Sequence, residues 1–88
     1  MLIPRLVIQF KKDRKKMAKI GKDLEKLEKI MKDLCEEIPL EPKLKDHQLY
    51  NNWANHRECH IEPDWLLIYK YEPGSIIFVR TGSHSELF

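Results

Sequence analysis

The side chains able to do chemistry gather in the second half of the chain: His47, His56, His60, Asp64, Arg80 and His84, with Trp65 and Phe88 as aromatic neighbours. Three chemistries can be built from such a set. A metal site would draw on His56, Cys59, His60 and His84, but His56 and His60 are four apart, a helical spacing in a segment that reads as strand. No paired cysteines and no HExxH spacing occur. Cysteine nucleophile chemistry would need a thiolate beside a base, and on a strand the adjacent Cys59 and His60 point to opposite faces. Metal-free cleavage of an RNA phosphodiester fits best. RNA carries its own nucleophile, the ribose 2′-hydroxyl. The protein need supply only a base, an acid for the leaving 5′-oxygen, and a cation for the crowded phosphorane. Histidine serves both proton roles because its ordinary pKa lies near working pH. Arginine suits the phosphoryl oxygens, and aromatic rings hold single-stranded bases. No metal and no cofactor are expected. Each residue also has a plainer reading: Trp65 as core, Asp64 as a good turn residue after Pro63, a strand histidine as surface. The combination is what those plainer readings explain poorly.

These side chains need a scaffold, and the pattern of the chain supplies one. Its 88 residues, 42% hydrophobic and 34% charged, make one domain spanning 1–88 with a single modest core. No apolar run is long enough to span a membrane. The apolar start MLIPRLVIQF is followed, not preceded, by basic residues, the wrong order for a secretion signal, so a cytoplasmic location is expected. Cys35 and Cys59, far apart, read as reduced and buried. Leu6, Val7 and Ile8 suit a short strand after Pro4. Helices follow over about 10–20, ended by Gly21, and over about 24–37, begun by Asp23. In the second helix Leu27, Ile30, Met31 and Leu34 form one apolar stripe. Three strands close the chain, about 54–61, 65–71 and 76–81, joined by the turns at Pro63 and Pro73-Gly74. The expected fold is α+β: a short N-terminal strand and two helices packed on a twisted antiparallel sheet completed by a C-terminal three-stranded meander. Helices on one face leave the other free. Alternation puts His56, Glu58 and His60 on one side of their strand, and Ile76, Phe78 and Arg80 together on theirs.

Charge is asymmetric. Up to Lys22 there are eight basic residues against Asp13 alone, whereas Asp23–Glu37 carries six acids against three lysines. An anionic partner for the first segment is expected, with Lys15, Lys16 and Lys19 contacting RNA phosphates; the plainer alternative is a solvated helix face.

KDHQL (Lys45–Leu49), Trp53, RECHIEPDWLLIY (Arg57–Tyr69) and RTGSHSELF (Arg80–Phe88) resemble the YafQ family of bacterial toxins, within the RelE/ParE superfamily of toxin–antitoxin systems. The resemblance covers nearly the whole chain. It implies a RelE-like, microbial-ribonuclease-like fold and an endoribonuclease that cuts messenger RNA on the ribosome. It implies neutralisation by a cognate antitoxin of the DinJ/RelB kind, and it leaves open a non-enzymatic, ParE-like binder as the alternative. The family's functional histidines fall on His47, His60 and His84, its aspartate and tryptophan on Asp64 and Trp65, and its terminal phenylalanine on Phe88; Arg80 is added from charge and strand placement. Two usual glycines are replaced by Asn51 and Asn55, the non-glycine type that best tolerates a left-handed backbone. His56 is an extra histidine with no role assigned by the resemblance.

Overall fold

Val7 is where the chain turns from strand to helix. Strand β1 spans Ile3–Leu6, and Val7, extended at φ −75° and ψ 159°, precedes helix α1 (Ile8–Lys19). The strand expected over Leu6–Ile8 therefore lies earlier. Its ladder is fixed by Ile3 N–H donating to Gly74 O and closed by Val7 N–H donating to Phe78 O, and beyond that point Ile8 is helical. Pro4 falls on the outer side of this edge strand, where a missing donor costs nothing. The computed structural model describes every residue, Met1–Phe88.

In α1 the buried residues are Phe10, Asp13 and Met17, one narrow stripe, while the lysines between them stay exposed. Gly21 takes φ +89° and stops the helix. The Asp23 carboxylate then accepts from Glu25 N–H at 3.0 Å and starts α2 (Leu24–Cys35). Its stripe of Leu27, Ile30, Met31, Leu34 and Cys35 is buried as the periodicity required.

The sheet is completed by β2 (His47–Gln48), β3 (Arg57–Glu62), β4 (Trp65–Glu72) and β5 (Ser75–Gly82), and the chain ends in a short helix, α3 (His84–Leu87). Strand order is β1-β5-β4-β3-β2. The meander is antiparallel throughout, but β1 pairs parallel with β5. The sheet is thus mixed, a correction to the all-antiparallel expectation. The reason is topological: β1 leads into two helices, and β5, reached only after the meander, runs beside it in the same direction.

The helices cover one face. Phe10, Met17, Leu27, Ile30, Met31 and Leu34 meet Cys59, Ile61, Trp65, Leu67, Tyr69, Ile76 and Phe78 there. Behind the sheet, Leu66, Ile68 and Leu87 form a smaller cluster, flanked by Leu49, Trp53 and Val79. Strand β4 is buried on both faces, as its unbroken apolar run required. No helix is long and apolar enough to cross a membrane.

Candidate active site

The face of the sheet away from α1 and α2 carries the site, and strand register builds it in rows. One row runs His47, Glu58, Ile68, Arg80; the next runs His60, Leu66, Gly82. Arg80 joins its row because of a bulge. Phe78 stands opposite Tyr69 but Arg80 opposite Ile68, so Val79 is the extra residue. Simple alternation aligns Arg80 with Ile76 and Phe78, both of which lie in the helix-side core. The bulge puts it in register with Ile68 instead, while its guanidinium reaches Asp13 of α1, a feature with no signature in the sequence.

At the near end of the first row, two imidazoles face one carboxylate. His47 Nε2 lies 3.5 Å and His60 Nε2 3.6 Å from the same Glu58 oxygen, and the two rings are 6.3 Å apart. His47 Nδ1–H donates to Lys45 O at 2.6 Å, and His60 Nδ1–H reaches Pro63 O at 3.4 Å. Those bonds turn each Nε2 towards Glu58, so a proton arriving on either nitrogen meets a carboxylate. Glu58 is itself buried. Sequence reading placed it on this face but gave it no role. What signalled it was a carboxylate between two histidines on alternating positions, Glu58 and His60 on one strand and His47 on the next.

Asp64 bonds to the C-terminal helix. Asp64 lies in the β3–β4 turn, and its carboxylate accepts from the backbone N–H of His84 at 3.0 Å. It pins the start of α3 to the rim where His60 stands. Ser83 and Glu86 close a capping box on that helix, Ser83 Oγ accepting from Glu86 N–H and Glu86 accepting from Ser83 N–H at 3.0 Å. Glu86 also pairs with Lys16 of α1, which, with the Ser83 bonds, draws its carboxyl down to about 2. His84 is thereby held at a fixed, exposed position, its ring 5.1 Å from that of Phe88. Phe88 is half exposed.

Arg80 is anchored. Its Nε donates to Asp13 Oδ2 at 2.7 Å and its Nη2 to Asp13 Oδ1 at 3.2 Å. Thr81 N–H and Gln9 Nε2 also donate to this buried carboxylate. The Asp13 bonds hold the guanidinium even more firmly protonated than usual. Beside it opens a polar cleft of about 370 Å³ lined by Gln9, Lys12, Lys16, Thr81 and Glu86 with the Arg80–Asp13 pair. Of the lysines assigned to RNA, Lys15 and Lys19 are exposed and make no ion pair, whereas Lys16 is held by Glu86.

Trp65 departs most from expectation. It is 0% exposed, packed in the helix-side core, and its indole N–H donates to Thr81 Oγ1 at 2.9 Å. A ring with no open face cannot stack on a base, so Trp65 is corrected from RNA contact to core. Cys59 is sealed as well, its thiol pushed up to about 12 by burial, which removes it as a nucleophile. Asn51 and Asn55 adopt φ 59° and 68°, so the left-handed turns do survive the loss of glycine.

A model of the family described as bacterial toxin of type II toxin-antitoxin system, YafQ, matches residues 4–88. The mRNA interferase toxin YafQ of Escherichia coli (strain B / BL21-DE3) is 44% identical over 81 residues, covering 91% of this chain and 88% of that one. Among solved structures, one from the E. coli DinJ–YafQ complex has a TM-score of 0.92 at 40% identity, covering 100% of this chain and 99% of that one. A metal-bound toxin from Helicobacter pylori has a TM-score of 0.94 at 44% identity, each chain covered in full. The metal belongs to that protein's structure. Here no three His, Cys, Asp or Glu side chains are arranged to hold an ion, and the two imidazoles closest together are turned onto Glu58. With the sequence matched from residue 4 to 88 and the fold matched end to end, the chain belongs to the YafQ family of bacterial toxins of type II toxin–antitoxin systems.

Proposed function

We propose that this protein is an mRNA interferase: an endoribonuclease that cuts messenger RNA on the ribosome and so halts translation. The name of the E. coli relative supports the activity. The observation that carries the chemistry is the His47–Glu58–His60 cluster at the end of the sheet, with His84 pinned by Asp64 of the adjoining β3–β4 turn. The strand of RNA lies across this open face. The 2′-hydroxyl attacks the adjacent phosphorus, and His60 Nε2 takes its proton with Glu58 ready to pair the imidazolium that results. His84, on the other side of the phosphate, gives a proton to the leaving 5′-oxygen. Arg80, with Lys12 and Lys16 around the same cleft, offsets the charge of the phosphorane. Asp64 acts through the backbone of His84 as a positioning residue. Lys15 and Lys19, exposed and unpaired, contact ribosomal RNA phosphates. A cognate antitoxin neutralises the toxin, a reading supported by the DinJ–YafQ complex of the E. coli relative.

The test is the chemistry of the ends. Attack by the 2′-hydroxyl leaves a 2′,3′-cyclic phosphate or 3′-phosphate and a 5′-hydroxyl. His84→Ala should slow cleavage on translating ribosomes by about 10²–10⁴, the usual worth of a positioned acid or base. Products ending in a 3′-hydroxyl would sink the mechanism. Growth arrest with intact transcripts would sink the activity itself.

A further inference from the structure

Next to the row of histidines lies a second set of rings that the proposed chemistry leaves unused. Trp53 is half-buried at the end of a short 3-10 turn (Asn51–Trp53) and packs beside the Leu66, Ile68 and Leu87 cluster. Two rings stand steeply against it. His56 is 5.2 Å away at 86°, and Phe88 is 6.0 Å away at 65°. Phe88 in turn contacts His84. The chain of contacts thus runs His56, Trp53, Phe88, His84, from an unassigned histidine to the proposed general acid.

The support beneath these rings is unusually firm for a surface loop. Leu49 N–H donates to His56 O, Trp53 N–H to Tyr50 O, Ala54 N–H to Asn51 O, and His56 N–H to Trp53 O. Asn51 and Asn55 supply the two left-handed turns that fold the segment on itself. His56 Nδ1–H is fixed by Ala54 O at 3.0 Å, so the imidazole is held as well as its backbone. A loop so fully bonded presents its aromatic rings with little ordering left to lose on binding.

We propose that Trp53, walled by His56 and Phe88, is a binding subsite for one nucleobase of the messenger, that of a nucleotide flanking the scissile phosphate. The proposal rests on the ribonuclease reading above. Trp53 is half-buried where Trp65 is fully enclosed, Phe88 is 50% exposed, and Trp53 packs on the side of the sheet away from α1 and α2. Steep neighbouring rings make a slot that accepts a flat aromatic group of any base, because every base offers a π face. Only Phe88 separates Trp53 from His84, at 6.0 Å from the one ring and 5.1 Å from the other, so a base held at Trp53 belongs to a nucleotide close to a phosphate at His84. The subsite thus positions the RNA for in-line attack; it does not read sequence.

The experiment uses the full-length toxin with stalled ribosomes carrying a defined mRNA, in single-turnover cleavage. Trp53→Leu, which keeps the apolar packing but removes the ring system, should lower kcat/KM roughly ten- to hundredfold, the worth of one stacked base. Trp53→Phe should recover most of it. An mRNA with an abasic nucleotide at one of the two positions flanking the cut should cost the wild-type toxin a similar factor. On that mRNA, Trp53→Leu should cost nothing more. In wild-type complexes with uncleavable mRNA, 2′-O-methylated at the scissile nucleotide, 5-iodouridine at the same flanking position should photocrosslink to Trp53. This last measurement needs no variant to fold. If the wild type cuts the mRNA but Trp53→Leu cuts it equally well, the subsite is overturned and the ribonuclease stands. Losses that multiply between variant and abasic mRNA, or crosslinks only to other residues, overturn it too. If the wild type cuts no mRNA, the underlying reading falls, and that outcome is distinct from all the others.

Discussion

Substituting Asp13 by Asn tests whether the site is built on the contact between α1 and β5. The carboxylate is 7% exposed and receives four donors: Arg80 Nε at 2.7 Å, Arg80 Nη2 at 3.2 Å, Thr81 N–H at 3.2 Å and Gln9 Nε2 at 3.0 Å. Asparagine keeps one oxygen, enough for Thr81 N–H, but turns a donor-only amide group towards a donor-only guanidinium. Breaking a fully buried pair costs about 3–5 kcal/mol, and an exposed pair contributes about 0–1. The Arg80 side chain is 27% exposed, so part of its charge recovers hydration when the partner goes. An intermediate loss of about 2–3 kcal/mol follows from that exposure. For a domain of this size that is a fall of about 10–20 °C in Tm. Urea unfolding followed by tryptophan fluorescence gives the number directly, because Trp65 is wholly buried. A double-mutant cycle with Arg80→Met isolates the pair and should return a coupling of at least about 1 kcal/mol. A loss below about 0.5 kcal/mol with no coupling would refute the placement of Arg80 by Asp13, and with it the delivery of a cation to the site.

Trp65→Phe should lower stability by about 1–3 kcal/mol, from the lost bond to Thr81 and the void left in the core. RNA cleavage per folded molecule should stay unchanged, and a selective fall in kcat/KM would restore Trp65 to the RNA surface. Reversing Lys15 and Lys19 to Glu, two exposed cations without ion-pair partners, should weaken ribosome association and flatten its salt dependence, leaving cut positions as they were; unchanged binding in physiological salt would make the helix a solvated face. Acid should free α3 through Glu86. Its carboxyl is depressed to about 2 by Lys16 and Ser83, so the docking it provides is complete above the ordinary carboxylate range and is lost as pH falls from about 4.5 towards 2. Amide exchange at residues 84–88 should accelerate over that window in the wild type, and Glu86→Gln should show the faster exchange already at neutral pH. Protection that persists to pH 2 would remove Lys16–Glu86 as the clasp.

What could be read from the sequence was what local periodicity dictates. The stripe of Leu27, Ile30, Met31 and Leu34, the stop at Gly21 and the unbroken apolar run of β4 each announce their own environment, and the structure places them so. The hairpin at Pro63 was equally legible, and it sets Asp64 where its carboxylate accepts from the backbone N–H of His84. Long-range pairing was not. That β1 would lie parallel to β5 depends on the path of everything between them, and no residue in Ile3–Leu6 encodes it.

The two tryptophans illustrate the same limit in the site itself. Trp65 follows Pro63-Asp64 in a motif that carries the family resemblance, which is why it was assigned to RNA. But at the first position of β4 a side chain must point to one face or the other, and pairing with Glu62 across the irregular end of β3 sends it under the helices, where Thr81 accepts its N–H. Trp53 stands in a loop that offers no periodicity to read. Its place beside His56 and Phe88 is set by the left-handed turns at Asn51 and Asn55 and by a C-terminal helix that Asp64 and Glu86 hold in position. The motif therefore carried over a ring that the fold encloses. Asp13, Glu58 and the bulged Val79, to which the sequence assigned no role, act on other side chains, Arg80 and the two histidines, and such residues become visible only once the strands have been paired.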